Sequence, residues 1–124
     1  MKIYDTYGLK ADDFESVLPA IEQAVCGRFE TRESYYHGGT YYCFGKDPGK
    51  ENFVIQRNFN PAEEEWEEED FEDMGILLYV NNTRRAEMIR RTLVNAMPEI
   101  VLIRRREVPE KSDEAEIRYS RAVA

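Results

Sequence analysis

The residues of this chain with chemistry to offer are carboxylates, and more than a third of the 25 are gathered in one place. Pro61 to Asp73, PAEEEWEEEDFED, holds nine of them (Glu63, Glu64, Glu65, Glu67, Glu68, Glu69, Asp70, Glu72 and Asp73) around Trp66 and Phe71, with no basic residue among them. The formal net charge is -8, so the remaining residues together carry +1 and the acidity is local. Adjacent like charges repel by roughly a few tenths of a kcal/mol per pair when solvated, so something outside the segment must tolerate or use them. A run of this kind either keeps a connecting loop solvated or meets a partner. Two large aromatics are unusual in a solvating linker and fit an anchor, to the core or to a partner. Glu64, Glu65, Trp66, Glu67, Glu68, Glu69, Asp70 and Phe71 are therefore candidate partner-binding residues, joined by Tyr36 and Tyr42 from a tyrosine-rich hairpin.

Catalysis is less well provided for. His37, the only histidine, directly precedes two glycines, where a turn residue is expected before a general base. Ser16, Ser34, Ser112 and Ser120 lack a nucleophile-elbow setting. Gly38-Gly39 joins two strands and not a strand to a helix, so it is no phosphate-cradling loop. The acidic run lacks the alternating ligands and turn glycine of a calcium loop. No metal, no cofactor and no enzymatic activity are expected.

Two other residue groups admit more than one reading. Tyr35, Tyr36, Tyr41 and Tyr42 bracket one hairpin, either through strand propensity or as a recognition surface, since tyrosine brings contact area at little entropic cost. Arg84, Arg85, Arg90, Arg91, Arg104, Arg105 and Arg106 form a solvated face, an internal counterweight to the acidic run, or a nucleic-acid patch. An overall acidic chain opposes approach to a polyanion, so nucleic acid is not expected as a partner.

The elements that must position these residues follow from periodicity. At 124 residues the chain suits one domain, taken as 1–108 with a charged C-terminal tail over 109–124 in which Ile117 and Tyr119 are the residues able to dock. No apolar run approaches the roughly 18 residues that span a bilayer, and MKIYDTYG has no secretory pattern, so a cytoplasmic protein without membrane association is expected. Cys26 and Cys43 lack metal spacing and fit core packing as reduced thiols. Met1 to Tyr7 predicts a strand. Phe14, Val17, Leu18, Ile21 and Val25 predict a helix capped by Asp12 and ending at Gly27; Pro19 lies inside it and is expected to kink it, since the stripe runs through both halves, a late start near Ser16 being the alternative.

From Arg28 the period is two. A strand up to Tyr36, a tight turn at His37-Gly38-Gly39-Thr40 and a return over Tyr41 to Phe44 make a hairpin. Asp47-Pro48-Gly49-Lys50 predicts a type II turn. Asn52 to Phe59 predicts the next strand, with Phe53, Ile55 and Phe59 on one face. The acidic run then leads into Ile76-Leu77-Leu78-Tyr79-Val80, unalternating and so covered on both faces. Asn81 to Thr83 supply cap chemistry for a second helix with Ala86, Ile89, Leu93 and Met97 buried, and Ile100 to Val108 is the last strand. The fold class is α+β: a mainly antiparallel sheet with two helices on one face, a ferredoxin-like plan with an added hairpin. In this plan the acidic run is dispensable: removing Ala62 to Asp73 is expected to change stability by at most about 1 to 2 kcal/mol.

The succession RFETRESYYHGGTYY, ENFVIQRNF, an acidic connection into GILLYVNNT, and IVLIRRREV resembles the small bacterial immunity proteins of polymorphic and contact-dependent toxin systems, over about residues 1 to 108. The resemblance implies a small acidic, non-enzymatic inhibitor that binds and neutralises a cognate toxin domain, often a basic nuclease, in the cytoplasm. Clustered carboxylates suit that role independently, because they steer a basic partner. The alternative is a small-ligand-binding or regulatory module of the ferredoxin-like type, a homodimer through its sheet face.

Overall fold

A computed structural model describes residues 1–109 apart from 38, 46 and 48; the tail expected over 109–124, with Ile117 and Tyr119, lies outside the described residues except for Pro109. Eight strands and two helices follow in the order β1 (Lys2–Leu9), α1 (Leu18–Val25), β2 (Glu30–Ser34), β3 (Gly39–Phe44), β4 (Asn52–Arg57), β5 (Phe59–Asn60), β6 (Glu65–Trp66), β7 (Ile76–Thr83), α2 (Ala86–Ala96) and β8 (Val101–Val108). Six strands form one sheet in the order β2-β3-β4-β7-β1-β8, and β5 pairs with β6 separately. Every pairing is antiparallel. The four strands β8-β1-β7-β4 carry the split βαβ order of the ferredoxin-like plan, and β2 with β3 is the hairpin added at its edge.

Cross-strand partners point to the same side of a sheet, which separates its two faces. Tyr7, Leu9, Phe53, Ile55, Ile76, Leu78 and Val80 meet the buried stripes of the helices, Ile21 and Val25 from α1 and Ile89 and Leu93 from α2, in one core. β7 lies mid-sheet, and Ile76, Leu77, Leu78 and Val80 are all buried, as a strand covered on both faces requires.

Local differences from the sequence reading have local causes. The chain makes a turn at Phe14, whose carbonyl accepts Leu18 N–H at 2.8 Å, and α1 starts only at Leu18 with Pro19 in its first turn. Proline is tolerated there because that amide has no helical partner anyway, so the late start holds and the kink does not form. Asp12 is no cap; Asp13 Oδ1 instead accepts Ser16 N–H at 2.7 Å. α1 ends on Cys26 in the left-handed region (φ 55°), which makes this cysteine an exposed cap and not a core residue. Both cysteines are free thiols. β2 stops at Ser34 because Tyr35–His37 winds into a single 3-10 turn, and Gly39 at φ 106° re-enters the sheet. Lys50 N–H donates to Asp47 O at 3.0 Å, and the type II turn expected over 47–50 includes residue 48, which lies outside the described residues. β7 runs through Thr83, whose hydroxyl accepts Arg85 N–H at 3.2 Å just before α2.

Candidate functional site

The acidic segment lies on the face of the sheet that the helices leave open. Thr6 pairs with Tyr79 on one side and Arg104 on the other, and Arg104 reaches Glu68 at 2.7 Å. Burial raises the pKa of the Tyr79 phenol, and the charges of Glu67 and Glu68 raise it further. Met74 and Ile103 crowd over Gly8, where a Cβ would come 2.8 Å from Met74 Cγ and 2.7 Å from Ile103 Cδ1. Gly8 faces Leu77 across the ladder, so the absent side chain lets this second, smaller apolar cover close.

One buried amide holds the segment in place. Asn58 leaves β4 with 0% exposure, against the expectation that the strand continues to Phe59. Its Nδ2 donates to the carbonyls of Phe71 and Met74, each at 2.9 Å, and of Glu68 at 3.3 Å, while its Oδ1 accepts Glu68 N–H at 2.8 Å. Its backbone carbonyl accepts Glu67 N–H at 2.8 Å and its N–H donates to Gly75 O at 3.0 Å. Asn60, 1% exposed, turns the chain with Oδ1 accepting the amides of Ala62 and Glu63. An amide is suited to both jobs because it carries donors and an acceptor on one short side chain. The segment is thus no detachable loop: removing Ala62 to Asp73 takes away Asn58's partners at Glu67, Glu68 and Phe71, so the expected limit of about 1 to 2 kcal/mol is too small.

With its backbone fixed, the segment sorts its side chains. Glu63, Glu64, Glu65, Glu67, Glu69, Asp70, Glu72 and Asp73 are exposed, eight carboxylates in all, with Asp73 3.6 Å from Lys10. Glu68 is turned inward, 7% exposed, and serves Arg104. Partial desolvation, and then repulsion from Glu63, hold Glu67 above its ordinary pKa, with His37 opposing and Glu65 and Glu68 adding. Trp66 packs on Phe59 across the small hairpin, ring centres 5.1 Å apart, and both stay partly exposed. Phe71 is half-buried. Glu64, Glu65, Trp66, Glu69 and Glu72 line an open groove of about 350 Å³.

The tyrosines divide. Tyr36 is 78% exposed at the hairpin tip, beside His37, which stacks on Tyr41 at 4.1 Å and lies near enough to Glu67 to oppose its raised pKa. Tyr42 pairs with buried Ile55 and sets its ring edge to Phe14 at 5.0 Å. It belongs to the helix face, and the structure does not bring it to the acidic surface. Phe59 and Asn58 are site residues that the sequence reading did not single out. The signal was Asn58-Phe59-Asn60-Pro61, two turn-forming asparagines inside an apparent strand.

Among the described residues no group of three or more His, Cys, Asp or Glu converges as metal ligands would, and no helix is long and apolar enough to cross a membrane. Comparison with known proteins finds no matching family model and no matching curated sequence.

Proposed function

We propose that this protein is a non-enzymatic, immunity-type inhibitor that docks a basic toxin domain on the acidic face. The observation that carries the reading is the pre-formed surface: eight exposed carboxylates held on a fixed backbone around the Phe59–Trp66 pair. Rigid anionic groups meet a cationic partner without the ordering entropy that a flexible loop would lose. Their summed field raises the encounter rate. The groove beside Trp66 suits an arginine or lysine from the partner, whose cation can lie over the indole while Glu65 or Glu69 accepts its hydrogen bonds. The cytoplasm is the compartment this role implies, and Tyr36 and His37 at the hairpin tip supply the rim.

The test uses the product of the neighbouring gene, where an immunity protein's toxin is normally encoded. Replacing Glu64, Glu65, Glu69 and Glu72 together by glutamine is expected to slow association and flatten its salt dependence. Trp66→Ala is expected to speed dissociation, at about 2 kcal/mol of affinity or more. Surface binding kinetics at two salt concentrations separate the two effects. Unchanged rates for both folded variants would remove the acidic face from the interface, and no binding to that product at all would sink the inhibitor reading.

A further inference from the structure

Positive charge in this chain is also concentrated, at the end of the sheet where β1 starts and β7 hands over to α2. An open cavity of about 440 Å³ is lined there by Lys2, Lys50, Arg84 and Arg85, with Glu51 and Asn82. Four cations and one carboxylate give these side chains +3 in a chain of net -8, so the rest of the molecule carries -11. Glu51 is spent on Arg85, so the +3 rests on Lys2, Lys50 and Arg84. Glu51 accepts Arg85 through both carboxylate oxygens (Nη2 to Oε1 at 2.6 Å, Nε to Oε2 at 3.0 Å) and the Thr83 hydroxyl at 2.7 Å. Arg85 is also the N-terminal cap residue of the eleven-residue α2, so the positive end of that helix adjoins the cavity.

The backbone is shaped for this convergence. The β1–β7 register shifts between Ile3 and Asp5, and Asn82, 7% exposed, takes the left-handed conformation at φ 56° inside that irregularity. A bulge at a sheet's rim re-aims the chain that follows it, and here the residues that follow, Arg84 and Arg85, line the same cavity as Asn82 itself.

We propose that this cavity is a binding site for a small phosphorylated anion. Guanidinium and ammonium groups from three separate elements, with a side-chain amide between them, offer charge-assisted donors from several directions, as a tetrahedral phosphate requires. The volume lies in the range of small-molecule sites, and the surrounding negative charge disfavours a long polyanion.

The experiment is calorimetric titration of the full chain with pyrophosphate at constant ionic strength, and amide chemical shifts to locate it. The expected result is saturable binding in the sub-millimolar range, with shifts at Lys50, Asn82, Arg84 and Arg85. Lys50→Ala with Arg84→Ala is expected to weaken it by about tenfold or more, while Glu69→Gln with Glu72→Gln leaves it unchanged. Absence of saturation by about 10 mM, or shifts confined to other regions, would overturn the site. Equal binding of citrate would overturn the preference for phosphate, and tighter binding of a short oligonucleotide would overturn the small-ligand assignment. None of these outcomes bears on the acidic face.

Discussion

The two faces of the sheet are covered by opposite means. On one, two helices press apolar stripes onto Tyr7, Leu78 and Val80, and a hydroxyl, that of Tyr7, is buried without a hydrogen-bond partner. On the other, a segment with nine carboxylates is drawn down by hydrogen bonds to Asn58, and the apolar contribution is limited to a small group around Met74, Leu77 and Ile103. The helix side gains mainly from burial, which is non-directional. The acidic side relies on directional bonds, which fail together if their shared partner is removed.

That contrast is open to direct attack. The largest effect is expected from Leu93→Ala in the helix face, at about 3 to 4 kcal/mol, with every probe of urea unfolding shifting together. Next comes Asn58→Ala, at about 2 to 3 kcal/mol. Here the fluorescence of Trp66, the only tryptophan, should change at lower urea than the far-ultraviolet circular dichroism. Coincident transitions in that variant would mean that the acidic cover is not a separately bonded layer.

Acidity should distinguish regions too. The folded pKa of Glu67 lies above the ordinary 4.5, so its charge penalises the folded state above that raised value, and the penalty is relieved as pH falls through it toward 4.5. Glu51 has the opposite sign: Arg85 first, then Thr83, hold it below 4.5, so its stabilisation is present above 4.5 and is lost as pH falls through its folded value. Glu67→Gln should therefore stabilise at neutral pH, by less than about 0.5 kcal/mol for so exposed a group, with the gain vanishing near pH 4.5. Thermal unfolding of both proteins across that window checks it, and a gain that grows on acidification would reverse the assignment. Tyr7→Phe removes an unpartnered buried hydroxyl and should be neutral or stabilising by up to about 1 kcal/mol, read from the urea midpoint.

The same division explains what was legible in the sequence. Ile21, Val25, Ile89 and Leu93 repeat at helical spacing, and the unalternating run Ile76 to Val80 marks a doubly covered strand, so the helix face and the central strand could be read. Asn58 leaves no periodic trace. Its role depends on three carbonyls that converge only after residues 59–75 have folded back, and a pattern of side-chain polarity cannot register main-chain acceptors. The charge of the candidate site was visible for the same reason that its fixation was not. Glu68 looks like its neighbours in sequence and differs only by facing Arg104.

Asn58 grips main-chain atoms of residues 67, 68, 71 and 74 and makes no demand on which side chains those positions display. The lattice of bonds and the lettering on it are therefore separable in evolution. Glu64, Glu65, Trp66, Glu69 and Glu72 can be rewritten one at a time, and the chemistry of this surface can drift through many intermediates while the scaffold underneath is inherited intact.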